Sequence, residues 1–276
     1  MTLRLCVAGG PQVRTSPSAT VHEAAMRACG IEGSYELRAL RDDELPRFIA
    51  ELRGGRYRGC NVTMPFKPHV AAACDALVGD AAMLDAVNTV SVEAGRLMGA
   101  NTDVAGFVAG LDDAGLRPEP DARAVVLGAG GAAAAVILAL LRAPVAAVTV
   151  IARRPDTARD VARRLRGQGA AVSAARWDRA ETMAALGTAG IVVNATPAGL
   201  DEMPFDVRDL PPSCTVADVR YRPRPVDLVV AAAEAGLAAV DGAGMLVRQA
   251  ALSFEIWTGV APPLDVMRAA LEAALT

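Results

Sequence analysis

The chain has 276 residues, 53% hydrophobic and 21% charged, with a formal net charge of -3; this excludes a disordered chain and allows core enough for two compact domains. Basic residues are scattered apart from short runs such as Arg163, Arg164 and Arg166, so the basic footprint of a nucleic-acid-binding surface is missing. Of the 28 Lys plus Arg residues only Lys67 is a lysine, which marks one position where a compact, titratable cation stands in place of the permanently charged guanidinium.

Residues 3–8 read as a short apolar strand, followed by a Gly-Gly-Pro turn and a Ser/Thr-rich loop through Thr20. A helix is expected over 21–28, a strand over 35–40 and a helix over 43–52. The stretch 59–63 reads as a strand running into Pro65, and 70–77 as a helix. Strands at 87–92 and 96–100 flank a turn at 93–95, so this half is a mixed α/β unit. A helix over 103–114 leads into 115–123, where Pro118 and Pro120 make the clearest break. Strands at 124–127 and 146–151 then alternate with helices at 132–141 and 156–165, and further strands are expected at 171–174, 190–194 and 215–218. Such alternation indicates a mostly parallel sheet covered on both faces. Two helices, 245–257 and 263–275, complete the order.

Cys6, Cys29, Cys60, Cys74 and Cys214 are odd in number and scattered, with no close pair for zinc and no secretory signal before them, which points to a reducing cytoplasm. The apolar run 124–141 is broken by Gly128, Gly130 and Gly131, as a soluble strand-turn-helix requires and a membrane span does not. With only His22 and His69 and no dense acidic cluster, no metal site is expected.

Gly128, Gly130 and Gly131 lie between a strand and a helix, where glycines let the backbone approach a pyrophosphate and free amides at the helix start receive its charge. Ala133 departs from the full glycine fingerprint. The next strand runs into Ala152-Arg153-Arg154 with no acidic residue before Asp156. Guanidinium groups at that point favour NADP over NAD, because a carboxylate would repel the 2′-phosphate while Arg pairs with it. In the first half, Asn61-Val-Thr-Met-Pro-Phe-Lys67, Asn88-Thr89 and Asn101-Thr-Asp103 each follow or flank a strand. Their convergence would set a titratable ammonium beside a carboxylate, amides and hydroxyls, suited to hydride transfer coupled to proton transfer on a hydroxylated substrate. Each also has a plain structural reading: Asp103 as a helix cap, Asn88 and Asn101 as turn residues.

The ordered motifs Asn61-Val-Thr-Met-Pro-Phe-Lys67, Ala86-Val-Asn-Thr89, Gly99-Ala-Asn-Thr-Asp103, Gly128-Ala-Gly-Gly-Ala132, Asn194-Ala-Thr-Pro-Ala-Gly199, Asp218-Val-Arg-Tyr-Arg-Pro223 and Gly242-Ala-Gly-Met-Leu-Val-Arg-Gln249 resemble the shikimate dehydrogenase family across nearly the whole chain. The resemblance implies an α/β protein of two domains: a mixed α/β substrate and catalytic domain at 1–103, a Rossmann-like NADP-binding domain at 104–240, and helices at 241–276 returning to the substrate domain, with the active site in the cleft. It implies NADP-dependent, reversible reduction of 3-dehydroshikimate to shikimate in chorismate and aromatic amino acid biosynthesis, without a metal. Lys67 and Asp103 match the catalytic pair, Lys67 exchanging the proton with the substrate oxygen.

Ser16, Ser18, Thr63, Asn88, Asn101, Tyr221 and Gln249 match substrate-binding positions. Gly128, Ala129, Gly130, Gly131, Ala132, Arg153, Arg154, Asn194, Thr196 and Gly242 match the cofactor site. The chain departs from the family at Thr15 and Ala19 beside the serine pair, at Arg159, which stands two places late, and at Asp227, where Thr is common. A small-molecule substrate, no nucleic acid, no membrane and a monomer or homodimer in the cytoplasm are expected. Quinate/shikimate or aminoshikimate dehydrogenases using NAD or NADP are the alternatives within the family; a non-catalytic dinucleotide-responsive binding protein is the alternative outside it.

Overall fold

The structure is a computed structural model that describes residues 2–276. In chain order it forms β1 (Leu3–Gly9), α1 (Ser18–Ala28), β2 (Gly33–Ala39), α2 (Leu45–Arg53), β3 (Gly59–Val62), α3 (Lys67–Ala73), β4 (Ala76–Leu77), α4 (Asp80–Leu84), β5 (Thr89–Glu93), β6 (Arg96–Ala100) and α5 (Asp103–Asp113). There follow β7 (Arg123–Leu127), α6 (Gly131–Arg142), β8 (Ala147–Ala152), α7 (Pro155–Arg164), β9 (Ala171–Arg176), α8 (Arg179–Leu186), β10 (Ala189–Asn194), β11 (Thr215–Asp218), α9 (Asp227–Glu234), β12 (Ala239–Val240), α10 (Ala243–Thr258) and α11 (Leu264–Leu275). The chain divides into two compact units, one running up to Gly106 and including Val247–Thr276, the other Phe107–Leu246.

The first unit is built on a mixed sheet in the order β2-β1-β3-β5-β6-β4. β1 pairs in parallel with β2 and β3, while β3, β5 and β6 run antiparallel to one another in turn. The four residues of β3 are buried throughout, as a central strand covered on both faces must be. Phe48, Leu52, Tyr57, Phe66, Val70 and Leu97 build its core against these strands. α11 packs on α1, so the last helix covers the first.

The second unit has six parallel strands in the order β12-β11-β10-β7-β8-β9. Read from the β9 edge and counted within the unit this is 3-2-1-4-5-6, the doubly wound dinucleotide-binding arrangement, in which strand order reverses between β7 and β10. Every residue of α6 from Ala133 to Leu141 is buried, which accounts for the unbroken apolar run behind the glycine turn. Among the described residues no helix is long and apolar enough to cross a membrane.

Several elements depart from sequence expectation. The loop before α1 contains a 3-10 turn, Pro11–Thr15, and α1 begins at Ser18 instead of Val21. The helix expected over 70–77 starts at Lys67 and ends at Ala73, because Cys74 is extended and Ala76–Leu77 pair with β6. Pairing with a distant strand outweighs the local helical preference of this Ala-rich stretch. The short helices α4, α8 and α9 and the two-residue strand β12 carry too little periodicity to be read from sequence.

His22 is fully buried, stacked 4.5 Å from the Tyr35 ring, with neither ring nitrogen in a hydrogen bond. Burial pulls its pKa from 6.5 down to about 3, an effect that the nearby Asn61 side chain only partly opposes. In the unfolded chain the imidazole takes up a proton below about pH 6.5. Between those values the unfolded state binds more protons than the folded one, so stability is lost as pH falls from 6.5 toward 3. The expected loss at pH 5 relative to pH 8 is about 2 kcal/mol from this group. Urea unfolding of the parent and of His22→Phe at both pH values measures it; an equal pH dependence in the two proteins would show that His22 contributes nothing.

Candidate active site

Strand register brings three motifs far apart in sequence to one end of the first sheet. Asn61 of β3 lies opposite Thr89 of β5, and Thr89 lies opposite Ala100 of β6. The chain therefore leaves β3 toward Thr63 and Lys67, enters β5 from Asn88, and leaves β6 toward Asn101 and Asp103, all at that end. The loop after β1 is tied there too: the Gly10 amide and Gln12 Nε2 donate to the Met64 carbonyl at 2.8 and 2.6 Å. That loop leads to Ser16 and Ser18, whose hydroxyls are 2.9 Å apart.

Lys67 Nζ stands 2.5 Å from Asp103 Oδ2, with the two side chains 11% and 8% exposed. An ion pair so poorly hydrated persists only where its remaining polar atoms are met. Asn88 meets the second carboxylate oxygen: its Nδ2 donates to Asp103 Oδ1 at 2.8 Å and to Thr102 Oγ1 at 2.9 Å, and its Oδ1 accepts from the Thr102 amide at 2.8 Å. Asn101 Oδ1 accepts from the Asp103 amide at 3.0 Å, and Asn101 Nδ2 donates to the Ala86 carbonyl at 2.9 Å. The capping role open to Asp103 in the sequence thus falls to Asn101, which leaves the carboxylate to Lys67 and Asn88.

A second layer stands behind this pair. Ser253 Oγ lies 2.7 Å from Thr89 Oγ1 and accepts from Asn61 Nδ2 at 3.0 Å, while Tyr35 donates to Asn61 Oδ1 at 2.6 Å. Gln249 Oε1 accepts from Asn88 Nδ2 at 3.4 Å. The result is an ammonium held against a carboxylate that amides and hydroxyls fix in turn, a suitable proton donor for an oxygen brought beside it.

In the second unit the glycine turn follows β7, where the strand order reverses. Gly128 has φ of +116°, and a Cβ there would meet the Ala195 carbonyl at 2.8 Å and Thr196 Cγ2 at 3.0 Å; only glycine suits it. At Gly130, which is exposed, a Cβ would meet nothing within 4 Å. Open space therefore fronts the first amides of α6, and the turn through Ala129, Gly131 and Ala132 fits a pyrophosphate. Asn194 is buried and knots the facing loop, accepting from the Thr196 amide and hydroxyl at 3.0 and 2.7 Å and donating to Asp218 Oδ2 at 3.0 Å. Gly242 is close-packed against the backbone of Val219.

Arg153, exposed after β8, pairs with Glu202 Oε2 at 2.6 Å, and its guanidinium carbon stands 5.4 Å from the centre of the Trp177 ring. Arg154 is exposed at the head of α7, and Arg159 pairs with Asp156 at 2.7 Å. Tyr221 is half-buried after β11, and burial raises its pKa. Asp227 opens α9, accepting from Arg220 at 2.6 Å and from the Leu200 amide at 2.8 Å.

The profile of the shikimate dehydrogenase substrate binding domain matches residues 8–90, and that of the shikimate 5′-dehydrogenase C-terminal domain matches 242–272. The shikimate dehydrogenase (NADP(+)) of Afipia carboxidovorans is 38% identical, over 98% of this chain and 97% of its own. The chain belongs to the shikimate dehydrogenase family. Its structure is similar to shikimate 5-dehydrogenase from Thermus thermophilus in complex with NADP(H) and shikimate, with a TM-score of 0.88 at 35% identity, covering 99% of this chain and 100% of that one. It is also similar to quinate dehydrogenase from Corynebacterium glutamicum in complex with NAD, with a TM-score of 0.88 at 30% identity and 99% of each chain covered.

Of the site positions expected from the sequence, the first unit gathers Lys67, Asp103, Asn88, Asn101 and Gln249 into one hydrogen-bonded group and carries Ser16, Ser18 and Thr63 on the adjoining loops. Tyr221 and the nucleotide positions belong to the second unit. Sequence reasoning missed Thr102, Ser253 and Glu202. Ser253, a hydroxyl beside Phe254 and Trp257 on an otherwise apolar face, was the available signal for the second layer. Glu202 had none, since its partner is 49 residues away.

Replacing Asn88 with Ala strips a partner from the Thr102 amide and from Asp103 Oδ1 in a buried place. The expected cost is about 1–3 kcal/mol, read as a fall of several degrees in Tm by calorimetry; an unchanged Tm would show the amide to be dispensable. Gly128→Ala places a methyl group on the Ala195 carbonyl at positive φ and is expected to weaken nucleotide binding by at least tenfold in a fluorescence titration. Binding as tight as the parent's would refute the need for glycine there.

Proposed function

We propose that this chain is an NADP-dependent shikimate dehydrogenase that interconverts 3-dehydroshikimate and shikimate on the route to chorismate and the aromatic amino acids. The buried Lys67–Asp103 pair, in a chain of this family, carries the reading. Lys67 is the catalytic acid and base: Nζ donates a proton to the carbonyl oxygen in reduction and takes one from the hydroxyl in oxidation. Asp103 Oδ2 holds the ammonium, and Asn88 holds the carboxylate, so the donor is fixed before substrate arrives.

Thr63, Asn88, Asn101, Gln249 and Tyr221 bind the polar ring groups, and Ser16 and Ser18 receive the ring carboxylate. When bound, NADP supplies or accepts the hydride. Gly128, Ala129, Gly130, Gly131 and Ala132 offer the pyrophosphate close backbone and free amides, Arg153 and Arg154 receive the 2′-phosphate, and Asn194, Thr196 and Gly242 shape the walls. The unit containing Lys67 is accordingly the substrate domain and Phe107–Leu246 the nucleotide domain. The five free cysteines support a reducing compartment, and we place the enzyme in the cytoplasm.

A steady-state matrix of NADP and NAD against shikimate, quinate and aminoshikimate tests the assignment. Shikimate with NADP is expected to give the highest kcat/KM; no reduced nucleotide with any pair would overturn the reading, and faster turnover of quinate with NAD would move the chain to the quinate branch of the family. Lys67→Met is expected to lower kcat/KM by about 10²–10⁴ while leaving NADP binding intact. Lys67→Arg should fail similarly, because guanidinium keeps the charge without releasing the proton. Near-normal turnover in either variant would remove Lys67 from the mechanism.

A further inference from the structure

The pair between Arg153 and Glu202 has no place in the roles assigned above. Arg153 follows β8, and Glu202 ends a 3-10 turn, Leu200–Glu202, in the segment after β10. β8 and β10 are the two neighbours of β7 in the sheet, so the pair joins the chain segments that follow the strands on either side of the glycine turn. Glu202 is anchored: its Oε1 accepts from the Gly199 amide at 3.2 Å while Oε2 takes Arg153 Nη2 at 2.6 Å. Arg153 and then the Gly199 amide hold its carboxyl below the usual carboxylate range, so it is ionised at neutral pH. Trp177, the residue after β9, lies against the guanidinium and restricts how the fork turns.

We propose that Glu202 is a specificity-determining residue, an anionic competitor for Arg153 that weakens binding of a 2′-phosphorylated dinucleotide and narrows the preference for NADP over NAD. This rests on the reading that Arg153 receives the 2′-phosphate. A phosphate monoester carries about two negative charges, and bidentate pairing with Arg153 requires donors of which one already serves Glu202. The phosphate must displace that carboxylate or bind beside it, and like charges a few ångströms apart repel. The ribose of NAD offers hydroxyls only, which a carboxylate accepts without repulsion. Glu202 therefore acts against the 2′-phosphate and not against NAD.

Glu202→Gln keeps the side-chain length and an oxygen for the Gly199 amide while removing the charge. Calorimetric titration with NADP, NAD and adenosine 2′,5′-bisphosphate is the test. NADP and the bisphosphate are expected to bind about three- to tenfold more tightly than to the parent, with NAD changed by less than about twofold. NADP binding that is unchanged or weaker would overturn the inference, since the carboxylate would then be orienting Arg153 and not competing for it. Arg153→Gln separates the two layers. If it leaves NADP affinity untouched, the assignment of Arg153 itself fails; if it weakens NADP while Glu202→Gln tightens nothing, only the role of Glu202 fails.

Discussion

Lys67 and Asp103 bring opposite charges within 2.5 Å where about a tenth of either side chain meets solvent, and removing two ions from water costs several kcal/mol apiece unless the protein supplies replacements. The far end of the first sheet is arranged around that demand. The register of β3, β5 and β6 delivers Asn88 to Asp103 Oδ1, and Asn101 relieves Asp103 of capping duty at α5. Thr89, Asn61 and Ser253 then satisfy the groups behind them, so the polar cluster is closed on itself on its inner side. Because Asn88 is engaged at both ends of its amide, the carboxylate cannot turn without breaking several bonds at once, and the ammonium inherits that rigidity.

The second unit answers a different constraint, one of space. Its glycine turn has no charged side chain; what matters is that Gly128 adopts a φ closed to other residues and that nothing stands in front of Gly130. The order of the parallel strands places this turn where that order reverses, and the buried Asn194 holds the opposite loop in shape through Thr196 and Asp218. Charge enters only at the margin, through Arg153 and its neighbours.

Most strands were legible in the sequence, because runs such as Ala124-Val-Val-Leu127 and Ile191-Val-Val-Asn194 are apolar over short lengths bounded by turn residues. Elements that depend on distant pairing were not: Ala76–Leu77 joins β6 against its local helical preference, and β12 has only two residues. The site was legible to the extent that its residues stand in compact motifs, as Lys67, Asn88 and Asp103 do. Sequence could not decide between a capping and an ion-pairing Asp103, since that depends on where the Asn101 amide points. Nor could it assign Ser253 a partner across 192 residues.

That long separation bears on how the protein is made. Phe107–Leu246 is one uninterrupted stretch of chain, with a sheet closed entirely from its own strands, whereas the unit bearing Lys67 is completed by Val247–Thr276. On the ribosome the second unit can finish folding while α1 still lacks α11 and Asn61 still lacks Ser253. Until those helices emerge, the buried charges and hydroxyls around Asp103 have only part of their hydrogen-bonding shell. The first unit is then the last to become native, although most of it is synthesised first, and its closing step is the slow search that distant contacts impose.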